Sequence, residues 1–282
     1  MSTTAAPSQF ASVQARQTEG AGFGHLMLAE WTKIRSVRST VWSLAIFVVV
    51  TLALTWLFCW LTVHALQTGR APRRTAELVA DPVTFILQTG KGLGQLAICV
   101  LGALTMTTEY STGVIRASLL AVPKRLPVLA AKCVVFAALI FVIGEIVSFV
   151  SFFIGKAVVH PVVDVSLSQP NVTRAVIGAG LYLTVLSLFA LAIGSLIRHS
   201  AGAIATVIGL VLVVGGLLNL LDSYDWGRHV HDWFPTVAGS YITRIIPASD
   251  QVLSPWQGFA VFCGWTALLL AAGAYLLKRR DA

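Results

Sequence analysis

Three ionisable residues stand inside otherwise apolar stretches: Lys91 within Val83–Thr107, and Lys132 and Glu145 within Val128–Ile154. A charge at membrane depth is costly and is found paired or facing water. Lys91 lies about eight residues, and Glu145 about ten, from the same end of their helices. At about 1.5 Å of rise per residue their depths differ by only about 3 Å. The spacing predicts a Lys91–Glu145 ion pair holding two adjacent helices together. The alternative is that one of the two lines a substrate path.

The remaining candidates do not assemble a catalytic site. There is no G-x-x-x-x-G-K-[ST] phosphate loop; Gly90-Lys91-Gly92 lacks the framing glycine and the hydroxyl. The chain is therefore not expected to hydrolyse ATP itself. Neither a G-x-S-x-G elbow nor an H-E-x-x-H helix occurs. Gly194-Ser195 and His199 are close but have no acidic partner nearby, and a turn between helices accounts for the histidine. His229 and His231, beside Asp232, would point to different sides of a helix, which disfavours a shared metal. Cys59, Cys99, Cys133 and Cys263 fall in apolar stretches with no short mutual spacing, so they read as packing residues. No catalytic residue, metal or cofactor is expected on this chain.

What must position these residues is a lipid bilayer. Of 282 residues 56% are hydrophobic and 11% charged, against about 25% charged in a soluble domain. A span needs about 20 mostly apolar residues. Six stretches qualify: 41–63, 83–107, 128–154, 175–197, 201–221 and 256–277. The expected fold is an all-α integral membrane domain over 41–277. The net charge of +8 does not indicate nucleic acid, because the basic residues cluster beside the spans and face lipid headgroups. Lys33–Arg38, Lys124–Lys132 and Lys278–Arg280 lie nearest to span ends and favour both termini in the cytoplasm; Arg70–Arg74 works against that assignment.

Residues 1–24 have no apolar period and read as a disordered cytoplasmic tail, and 278–282 form a cytoplasmic tail at the other end. Over 25–40, Met27, Trp31 and Ile34 recur at helical spacing with Thr32, Lys33 and Ser36 largely opposite. That pattern fits an amphipathic interfacial helix, or a helical lead-in to the first span. Asp81-Pro82 has the form of a helix start. Arg198–Ser200 makes a tight hairpin of spans four and five. Residues 222–254 mix Tyr224, Trp226, Trp233, Phe234 and Tyr241 with polar residues, as short surface or re-entrant helices do. The spans show no dense polar stripe, which favours an amphipathic or lipid-like cargo over a sugar or ion.

The loop between spans two and three, residues 109–125, reads E-Y-S-T-G-V-I-R-A-S-L-L-A-V-P-K-R. It resembles the E-Y-x-T-G-T-I-R-x-x-L-x-A-V-P-R-R signature of permease subunits in the type-2 exporter family of ATP-binding-cassette transporters, especially actinobacterial-like members. Ala29-Glu30-Trp31-Thr32-Lys33 with Arg35-Ser36 and Arg38-Ser39 is similar to the opening of such permeases. Leu101-Gly102, Ala131-Lys132, Phe234-Pro235 and Ala238-Gly239 come in the expected order; Val114 and Lys124 depart from the pattern.

The resemblance implies a plasma-membrane exporter in which two permeases, identical or related, assemble with separate ATPase subunits that bind ATP and Mg. Residues from about Thr108 to Leu120 would form a coupling helix seated on the ATPase, with Glu109, Tyr110, Gly113, Ile115, Arg116 and Leu119 as its contact residues. Glu30, Trp31, Lys33 and Arg35 would belong to an interfacial elbow helix, to which Glu109 would be anchored through Lys33 or Arg35. The competing classes are a membrane interaction or immunity protein without transport, and an intramembrane enzyme.

Overall fold

The computed structural model describes residues 22–69, 73–113, 125–218, 220, 224–247 and 251–279. All regular elements among them are helical. A short α1 (Phe23–Ser36) precedes α2 (Arg38–Gln67) and α3 (Arg73–Ala80). The long helices continue with α4 (Pro82–Ser111), α5 (Arg125–Val159) and α6 (Val172–Ile197). A further span, α7 (Ser200–Leu218), contains a π-helical stretch at Gly209–Val214. After it come α8 (Asp225–Asp232), α9 (Pro235–Ser240), a 3-10 turn (Tyr241–Thr243) and α10 (Pro255–Arg279). Six of these helices, α2, α4, α5, α6, α7 and α10, are long and apolar enough to cross a membrane.

The helix ends obey local chemistry. The Asp81 side chain accepts the Thr84 amide at 3.0 Å, with Pro82 in the first turn, so α4 starts where the Asp-Pro pair predicts. The α6–α7 hairpin turns at Arg198 (φ 61°), and the His199 ring accepts the Gly202 amide at 3.3 Å as the cap of α7. α1 differs from the expected 25–40: it begins at Phe23 and stops at Ser36. Val37 is extended (φ −86°, ψ 106°), which separates α1 from α2.

The helix α6 is the axis of the bundle. Seventy-two per cent of its most apolar window is buried, against 22% for α2 and for α10. It packs against α4 and α5, with α10 and α7 also on it. Leu186, Ala190 and Leu191 join Ile98 of α4, Phe136 and Ile140 of α5 and Phe262 of α10 in the main core. Outward positions of α2, including Trp42, Ile46 and Val49, stay exposed and apolar, as on a lipid-facing surface. Small residues let the helices approach closely. A Cβ on Gly90 or Gly94 would overlap the Thr55 and Thr51 hydroxyls of α2, and one on Gly102 would lie 2.5 Å from the Ser187 carbonyl oxygen of α6.

Residues 224–247 form short helices tied down by side chains. Arg174 donates to the Ile242 and Arg244 carbonyls at 3.1 and 2.8 Å. The Ile245 amide donates to the Thr84 hydroxyl at 3.0 Å, and the Ile246 amide to Asp81 at 3.2 Å. The segment thus closes the end of the bundle where α4 and α6 begin.

Candidate functional site

At the opposite end, α1, the last turns of α4 and the first turns of α5 converge on four charges. Lys132 on α5 donates to Glu30 on α1 at 2.6 Å and to Glu109 on α4 at 2.7 Å. Lys33, one turn along α1 from Glu30, donates to Glu30 at 2.6 Å and to Glu109 at 3.3 Å. The result is a closed ring of alternating sign, two ammoniums and two carboxylates, drawn from three helices. The Lys132 and Glu30 side chains are each 4% exposed and Glu109 13%, whereas Lys33 at 34% faces outward. Charge-assisted hydrogen bonds of this length are strong, and each buried charge here depends on its neighbours for compensation.

That geometry sets the electrostatics. Burial alone pushes the Glu30 carboxyl up, but Lys132 and then Lys33 outweigh it and hold it below the ordinary value of 4.5. Burial alone pulls the Lys33 ammonium down, and contacts with Glu30 and Glu109 reverse this, leaving it above 10.5. Beside the ring lies a cavity of about 840 Å³ between α1, α2 and α4, with hydroxyls of Ser36, Ser39, Thr105 and Thr108 in its lining.

Neighbouring contacts fix the surrounding helix ends. The Arg198 guanidinium sits 4.8 Å from the centre of the Tyr110 ring, joining the end of α4 to the α6–α7 turn. Ser200 donates to the Thr107 hydroxyl at 3.0 Å across the same junction. Gly113 (φ 72°) takes the left-handed conformation just past the end of α4, where a side chain is strained.

Several expectations change here. Glu109 does meet α1, through Lys33 rather than Arg35, which is exposed and outside the ring. Of the face inferred from Met27, Trp31 and Ile34, Met27 and Ile34 are half-buried and Ile34 packs on the main core, whereas Trp31 is 45% exposed; the buried Glu30 shares the inward side with them. Residues Thr108–Ser111 belong to α4, so Glu109 and Tyr110 sit on the spanning helix itself and not on a separate helix. Ile115, Arg116 and Leu119 lie outside the described residues, as do residues 1–21 and 280–282.

The Lys91–Glu145 pair does not form. Lys91 Nζ lies over the Tyr182 ring at 4.3 Å from its centre, and neither it nor the Glu145 carboxylate has a hydrogen-bond partner among the described residues. Glu145 instead packs against Gly180. Gly180 and Tyr182 are two residues apart on α6, a rotation of about 200°. The two charges therefore reach α6 on opposite sides and do not face each other. Matching depth was not enough.

The absence of a polar stripe is also overturned. Thr84, Gln88, Lys91 and Gln95 recur along α4 at intervals of four, three and four residues, which puts them on one face. Gln88, Lys91 and Gln95 line a second cavity, of about 220 Å³. The stripe is hidden in the sequence because small and apolar residues separate its members.

Lys132 is the site residue that sequence reasoning missed. A signal for it exists: a lysine opening an apolar span, in a chain with only 12 acidic residues, two of which flank membrane ends at Glu30 and Glu109. The His229–Asp232 cluster serves the fold, since Asp232 accepts the Tyr241 hydroxyl and, at 2.8 Å, the Val252 amide. Among the described residues no three His, Cys, Asp or Glu side chains gather as metal ligands. The four cysteines are free. Compared with protein-family models and with curated proteins, the chain matches none.

Proposed function

We propose that this chain is the permease subunit of an ATP-driven exporter in the cell membrane, with both termini in the cytoplasm. In this reading it dimerises with an identical or related permease and couples to separate ATP-binding-cassette ATPase subunits that bind ATP and Mg. The contact with the ATPase is made by residues from about Thr108 to Leu120, with Glu109, Tyr110, Gly113, Ile115, Arg116 and Leu119 as its contact residues. The observation that carries the reading is the Glu30–Lys33–Glu109–Lys132 ring. It fastens the end of α4, where that segment begins, and the start of α5, which follows it, to α1. A push on the segment then moves three helices together, which is what transmission from a soluble motor to a membrane path requires. The family signature in residues 109–125 and the six candidate spans support the same reading.

The test is co-purification of the full chain from membranes with its candidate ATPase, against a Gly113→Pro, Ile115→Asp variant. The wild type is expected to hold the ATPase and the variant to lose it while staying folded. A wild type that captures no ATPase refutes the permease reading.

A further inference from the structure

The cavity of about 220 Å³ on the far side of the bundle is lined by Gln88, Lys91 and Gln95 of α4, Tyr182 of α6, and Ser240 and Arg244 of the closing segment. Val211, from the π-helical stretch of α7, supplies part of its apolar wall; such stretches are frequent at functional sites. Lys91 is 7% exposed and its ammonium has no hydrogen-bond partner among the described residues. It lies over the Tyr182 ring face, whose hydroxyl donates to Gln95 at 3.1 Å. Arg244 is a second cation in the same lining, which includes no carboxylate. Among the described residues of this lining, the buried ammonium has an aromatic face and a second cation beside it and no counter-charge. Gln88 and Arg244 also line an adjoining cavity of about 480 Å³, so the pocket continues past α3, where the lining adds Arg74 with the carboxylates Glu77 and Asp81.

We propose that this pocket binds an oxyanion, the phosphate or carboxylate head of an amphipathic molecule, with Lys91 as its principal cationic contact. Arg244 and the Gln88 amide complete the donor set, Val211 and Val237 meet the first carbons of the tail, and the rest leaves along the Phe85, Ile246 and Pro247 side of the adjoining cavity. The role of this anion as cargo rests on the exporter reading.

Binding is measured on the purified full chain in neutral detergent, without any ATPase, by equilibrium dialysis of labelled dodecyl phosphate and dodecanoate against a detergent blank. The wild type is expected to bind one of them saturably. Lys91→Met weakens that binding by about tenfold or more, the loss of a charged hydrogen-bond donor, while Lys91→Arg retains it within about threefold. Lys91→Met removes an unpaired buried charge and is expected to fold; Gln88→Leu is a second variant expected to weaken binding. Competition by inorganic phosphate identifies a free oxyanion as sufficient, and its failure assigns the site to an amphipathic head. No saturable binding of either probe, or equal binding by wild type and Lys91→Met, overturns the proposal. Failure here leaves ATPase capture untouched, and failure of ATPase capture leaves this binding measurable.

Discussion

Replacing Lys132 by Met is expected to destabilise the bundle by about 3–5 kcal/mol, the cost of leaving a buried charge uncompensated. The ring is neutral as built, with two ammoniums against two carboxylates. Without Lys132 both carboxylates depend on Lys33, the outward-facing member at 34% exposure. Glu30 remains at about its 4% side-chain exposure, so water does not replace the lost partner. Glu30→Gln makes the opposite error, leaving two ammoniums around Glu109, and is expected to cost a similar amount. The double variant keeps the Lys33–Glu109 contact and restores neutrality. It is therefore expected to lose less than either single variant, because a buried pair replaced by neutral groups is often close to neutral in energy. The assay is reversible unfolding in mixed micelles titrated with a denaturing detergent, run as a double-mutant cycle. A coupling energy of about 2 kcal/mol or more is expected. Losses that add to within about 0.5 kcal/mol refute a charge-balanced ring.

The same ring has a pH signature. Glu30 is held below 4.5, so the stability it contributes is present above that value and is lost as pH falls through its folded-state pKa; Lys33 is held above 10.5, so its contribution is present below that value and is lost as pH rises past it. Docking of α1, monitored by spin-label distances between Leu28 and α5, is expected to hold between these limits, and Glu30→Gln is expected to blunt the acid transition; an unchanged acid transition in that variant would falsify the assignment. Gly102→Val is expected to cost about 1–3 kcal/mol in the same unfolding assay, because its added carbons meet the Ser187 carbonyl and Ala190 on α6. An unaltered midpoint would show that α4 and α6 do not approach this closely.

Much of the architecture is local and was therefore legible in the sequence. The long helices are set by runs of apolar residues, and run length is a property of the chain alone. Asp81-Pro82 at the start of α4 and His199 at the α6–α7 turn are short-range capping chemistry, readable for the same reason. The depth of each charge could be counted at a fixed rise per residue. Its partner could not. Lys91 and Glu145 match in depth and reach α6 on opposite sides, while Lys132 meets Glu30 across 102 positions of sequence. The sequence alone determined that this protein is built of membrane-length helices and how deep its charges lie along them. Tertiary structure decided which charges meet, because the order of helices around α6 and the rotation of each about its axis depend on close packing between distant segments.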